Sequence, residues 1–98
     1  KGMIRHVCMF TLKEENKENN IAEFMKRAEK LKELETIKSF NVVRNAENTP
    51  DSNYDVALIF DFDSEQTLDA YQKSPQHVEF GEFVYTVRVN RACIDYEI

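Results

Sequence analysis

The stretch Ile4-Arg5-His6-Val7-Cys8-Met9-Phe10-Thr11-Leu12 decides the fold. It is nearly continuous in apolar and β-prone residues, the pattern of a strand covered on both faces. Alternation puts Ile4, His6, Cys8, Phe10 and Leu12 on one face and Arg5, Val7, Met9 and Thr11 on the other.

The segments that follow set the order of elements. Ile21, Phe24, Met25, Ala28, Leu31 and Leu34 recur at three- and four-residue steps with Glu and Lys between them, which predicts a helix with a core-facing stripe. Asn19 or Asn20 is the expected cap. Residues 37–44 read as a second strand, and Asn45 to Asn53 as a polar loop holding Pro50. Residues 54–62 form a third strand, with Tyr54, Val56, Leu58, Phe60 and Phe62 on one face. Asp63 with Gln66 three residues on suggests a capping box, starting a helix near Ser64 that runs toward Gln72. Pro75 breaks it and suits the first turn of a short helix through His77, Phe80 and Val84, with Gly81 in it or at an irregularity. Val87 to Ile98 completes the set as a strand in which Val87, Val89, Arg91, Cys93 and Asp95 alternate against Arg88, Asn90, Ala92, Ile94 and Tyr96.

The order β-α-β-β-α-β predicts an α+β, ferredoxin-like unit, an antiparallel four-stranded sheet with its helices on one face. The other face then carries Val7 and Met9 with nothing in the chain left to cover it. A second copy of the same sheet is the economical cover, so a homodimer is expected.

Ninety-eight residues make one domain, read as residues 3–98; Lys1-Gly2 looks like an appended dipeptide, with Met3 the natural start. A net charge of −5 argues against nucleic acid or an anionic membrane as partner. The stretch from Asn45 to Gln72 holds seven acidic residues and no basic one, so a cationic or neutral ligand suits that side better than a phosphate. No run is long enough for a membrane span. Cys8 and Cys93 can form one bridge, but both sit in apolar runs, so two buried free thiols and a cytoplasmic location are expected.

Few residues carry chemistry. There is no phosphate-cradling glycine loop, GxSxG, HExxH or zinc spacing, and two histidines exclude a His-rich metal site in one chain, so no cofactor and no metal are expected. His77 lies just inside a helix six residues after Tyr71; an imidazole takes a proton near neutral pH and a phenol donates to the resulting oxyanion. Surface and core roles for the two are the plainer alternative. His6, on an apolar strand face, is either a satisfied core group or the wall of a cavity. Asp55 and Asp61 stand about 20 Å apart along one strand, too far for a glycosidase pair. Cys8 with His6 is a further, weaker nucleophile candidate.

Four segments in order, residues 3–10, residues 54–60, Ala70-Tyr71-Gln72-Lys73-Ser74-Pro75-Gln76-His77 and Ile94-Asp95-Tyr96, resemble the stress-responsive dimeric α/β-barrel (A/B barrel) domain family. They echo its I-[KR]-H strand, Y-D-x-A-L strand, A-Y-x-x-H-P-x-H segment and final D-Y. The resemblance implies a ferredoxin-like protomer pairing sheet to sheet. It also implies, from the plant polyketide cyclases in the family, a base at His77, an enolate-stabilising tyrosine at Tyr71, and His6 as the first-strand histidine. Ser74 replaces one family histidine, and Val56 stands where those cyclases place another. The functional expectation is a pocket for a small apolar or aromatic molecule lined by His6, Tyr71 and His77. A cofactor-independent cyclase-like or monooxygenase-like enzyme and a purely structural oligomerisation module are the alternatives.

Overall fold

The computed structural model describes residues 2–98; Lys1, half of the dipeptide ahead of Met3, lies outside them. Strands β1 (Ile4–Leu12), β2 (Ser39–Arg44), β3 (Val56–Phe62) and β4 (Arg88–Glu97) and helices α1 (Lys17–Glu29), α2 (Glu65–Lys73) and α3 (Pro75–Val87) make a ferredoxin-like α+β fold. The sheet order is β2-β3-β1-β4, antiparallel throughout. β1 is central, hydrogen-bonded to β3 on one edge and β4 on the other.

The face under the helices buries Ile4, His6, Cys8, Phe10 and Leu12 of β1 and Val56, Leu58, Phe60 and Phe62 of β3. Against them pack Ile21, Phe24 and Ala28 of α1, Leu68 and Tyr71 of α2, and Phe80, Val84 and Val87 of α3. Leu31 closes the core from a 3₁₀ turn, Lys30–Glu33, where α1 tightens rather than continuing to Leu34.

The opposite face has no helix on it. Val7 sits between Ile59 and Ile94, and Met9 between Ala57 and Ala92. Ile94 is 61% exposed and Tyr96 43%. At one end Arg5 grips Asp61 with two hydrogen bonds, Nε to Oδ1 at 2.8 Å and Nη2 to Oδ2 at 2.9 Å. That pairing holds the Asp61 carboxyl below its ordinary value, the Arg5 hydrogen bond outweighing burial. Asp55 is also structural: its carboxylate accepts from the Leu12 backbone N–H at 2.8 Å and faces Lys17 at 3.2 Å.

Several local expectations are corrected. The α1 cap is Asn16, in the left-handed conformation, rather than Asn19 or Asn20. The capping box on α2 is Ser64 with Thr67, each side chain accepting from the other's backbone N–H, instead of Asp63 with Gln66. The second and third strands start two residues late, at Ser39 and Val56.

The cysteines are the larger correction. Cys8 and Cys93 are direct cross-strand partners with Cα atoms 4.2 Å apart, and they form a disulfide in place of two buried thiols. Neither is a free nucleophile, and the thiols no longer argue for a reducing compartment. Among the described residues no helix is long and apolar enough to cross a membrane.

Candidate functional site

Three side chains picked out in the sequence meet at one end of the helix-covered face. His6 projects from the middle of β1, and its cross-strand partner Asp95 on β4 holds its Nδ1 at 2.5 Å through Oδ1. Tyr71 is in the last turn of α2 and His77 in the first turn of α3.

Ser74 brings the last two together. Its hydroxyl donates to the Tyr71 carbonyl at 2.7 Å and accepts from the His77 backbone N–H at 3.1 Å. One residue thus ends α2 and caps α3, with Pro75 at the first helical position where no N–H is needed. The chain folds back sharply there. The Tyr71 and His77 rings come to 4.7 Å, edge to face, and His6 approaches Tyr71 at 6.2 Å. Phe60 and Phe62 complete the box around Tyr71, at 5.8 and 5.1 Å.

Among the described residues three buried side-chain polar atoms lack a hydrogen-bond partner, and two of them are here: the Tyr71 hydroxyl and His77 Nδ1. The third, Thr36 Oγ1, belongs to the turn before β2. Burial lowers the His77 pKa, helped by His6 and Arg91 and opposed by the Gln72 backbone, so the ring is neutral at neutral pH. Burial also raises the Tyr71 phenol above its ordinary value, which keeps its proton in place.

A cavity of about 170 Å³ opens beside these groups. His6, Cys8, Gln72, His77, Phe80 and Gly81 are in its wall, together with the arginines of β4. Tyr71 is not; it packs behind His6 and His77. Gly81 adds space, because a Cβ there would meet nothing within 4 Å. The volume suits one six-membered ring with a substituent. Larger clefts lie elsewhere, notably beside the loop after β2, where Glu18 pairs with Arg44 and Asp55 with Lys17.

His6 also lies with Cys8 and Cys93 in a group whose ligand atoms are all within 4.8 Å of one another. With the two sulfurs bonded to each other they are not available as ligands. The sequence offered no signal for this group, since Cys93 is 85 residues from Cys8. It likewise gave no reason to pick Gln72 or Arg88.

The comparisons with known proteins agree with the fold. The family model described as Stress responsive A/B Barrel Domain matches residues 4–98. A dimeric protein of unknown function with a ferredoxin-like fold from Bacteroides fragilis is 28% identical, with a TM-score of 0.87, over 100% of this chain and 98% of that one. A Dabb family protein with a ferredoxin-like fold from Mesorhizobium loti is 26% identical, TM-score 0.83, over 100% and 98% of the two chains. A hydroxynitrile lyase from Passiflora edulis superposes with a TM-score of 0.85 over 99% of this chain and 94% of its own, but at 15% identity it shares the fold alone. No curated protein matches the chain.

Proposed function

The chain belongs to the stress responsive A/B barrel domain family, and we propose that within it this protein binds a small planar organic molecule in the cavity between the sheet and the α2–α3 corner. The observation that carries the reading is His77 Nδ1, a buried atom without a partner on a ring in the cavity wall, with the unpartnered Tyr71 hydroxyl on the ring packed behind it. A buried polar group without a partner costs about 1–3 kcal/mol, and a ligand that hydrogen-bonds to it offsets that cost. A structural module has no reason to keep two such groups side by side.

Titration calorimetry with a panel of small aromatic molecules tests this. The wild type is expected to bind at least one, and Gly81→Leu, which fills the open space at Gly81, to lose it. Binding that survives Gly81→Leu would move the site elsewhere.

One observation favours catalysis as a second reading. His77 is held neutral by burial, with a free ring nitrogen, next to a phenol that keeps its proton. That arrangement suits proton abstraction from carbon beside a carbonyl, with His77 taking the proton and Tyr71 donating to the enolate oxygen. It requires a substrate that reaches past the His77 ring to Tyr71. Loss of the base in His77→Ala should slow turnover about 10²–10⁴-fold; unchanged turnover would end the enzymatic reading.

The open sheet face is read as the contact between two copies. Val7, Met9, Ile59 and Ile94 supply its apolar centre, and the similar protein from Bacteroides fragilis is dimeric. Sedimentation at micromolar concentration should give twice the chain mass, and a stable monomer would refute it.

A further inference from the structure

Resting on the binding reading above, we propose that the ligand is a small monoanion, a carboxylate carried on one ring or short chain, held by Arg88 and Arg91. In a regular strand residues three apart point to opposite faces, and simple alternation along β4 sends these two arginines apart. The pairing of β1 with β4 shifts at Thr11/Leu12: Phe10 faces Arg91 and Thr11 faces Asn90, but Leu12 faces Arg88. Val89 is the extra residue of a bulge. It turns Arg88 onto the face of Leu12 and Phe10, the helix-covered face, where Arg91 already is. Bulges of this kind re-aim side chains next to functional sites.

The electrostatics of the wall point the same way. In a chain of net charge −5 the cavity is lined by two arginines and two histidines and by no Asp or Glu. Arg88 and Arg91 make no ion pair among the described residues, while Arg5, Arg27 and Arg44 each have a carboxylate. Arg88 instead lies over the Tyr85 ring at 5.5 Å. Asp95, the nearest acid along β4 on this face, is engaged by His6. Arg91 is also felt at His77, whose proton it disfavours. Two unpaired guanidiniums on one cavity wall match a carboxylate, which each can grip through parallel N–H donors. A volume of about 170 Å³ leaves room for one ring behind the charged group. The acidic stretch from Asn45 to Gln72, which favoured a cationic or neutral ligand, places only Leu58 and Gln72 at the cavity.

The test measures affinities for three carboxylates, benzoate, cinnamate and cyclohexanecarboxylate, against their uncharged amides of the same shape. Wild type is expected to prefer at least one acid over its amide by tenfold or more, with the preference shrinking as salt rises. Arg91→Gln and Arg88→Gln should each weaken that acid about ten- to hundredfold and weaken the amide far less, so that the preference for the acid shrinks. Melting curves of both variants keep a folding defect apart from a binding one. If amides bind as tightly as acids, the anion inference is overturned while the binding reading stands. If neither class binds, both are overturned.

Discussion

Two aromatic clusters share one core and differ in what they do with their polar atoms. In the first, Phe24 of α1 packs on Phe10 at 5.6 Å and on Phe80 at 5.2 Å. In the second, Tyr71 packs on His77 at 4.7 Å and on His6 at 6.2 Å. Burial is the same: Phe24 is 0% exposed and Tyr71 1%. The first cluster is all carbon and leaves nothing unpaired. The second holds three polar rings, of which only His6 has its partner at Asp95. Equal burial thus serves two ends, cohesion in one cluster and an unmet demand for hydrogen bonds in the other. Departures from local satisfaction are expected where a protein functions.

The largest effect separating the clusters should come from Phe24→Ala. Removing that ring from a filled site costs about 3–5 kcal/mol of stability by urea titration; a loss under about 1 kcal/mol would erase the contrast. Tyr71→Phe should go the other way. It keeps the ring and deletes a hydroxyl with no partner, so stability should hold or rise by about 1 kcal/mol. A fall of several kcal/mol would mean that the hydroxyl is satisfied after all.

The smallest effect is in pH dependence. Above the ordinary histidine value of 6.5, His77 is neutral in both folded and unfolded chains, and stability does not depend on it. As the pH falls below 6.5 the unfolded chain takes up a proton that the buried ring resists. Stability is then lost down to the lowered folded value, by at most about 1.4 kcal/mol per pH unit. Melting temperatures from pH 7.5 to 5 should fall less steeply in His77→Gln than in wild type; equal slopes would remove His77 as the cause. Asp61 stays out of that window, because its lowered value makes it sensitive only below its ordinary 3.8.

What the sequence reveals depends on whether a feature repeats along the chain or relies on a single residue. β1 is legible because its nine residues are nearly continuous in apolar and β-prone types, and that pattern implies a strand covered on both faces. His6, Tyr71 and His77 are legible as candidates because histidines are scarce and their motifs resemble a family. In the junction that joins Tyr71 to His77, Pro75 is legible as a break, but the two hydrogen bonds of the Ser74 hydroxyl are not, because a pattern of apolar spacing does not register them. Arg88 is placed on the wrong face by strict alternation, since one extra residue, Val89, inverts everything before it. The Cys8–Cys93 bond depends on the register between the first strand and the last, which only the folded sheet sets. Ser64 and Thr67 take the cap from Asp63 and Gln66 because two neighbouring candidates differ by one residue in register.

The position of that disulfide also governs how the molecule carries load. The bond joins residues 8 and 93, so a pull applied at Gly2 and Ile98 travels along two short tails and across the sulfur–sulfur link. β2, β3 and all three helices lie inside the closed loop and outside the path of the tension. Stretched in an oxidised state, the chain should stop extending once its tails are straight. Cleaving the bond would release 85 residue spacings, about 300 Å of hidden contour length.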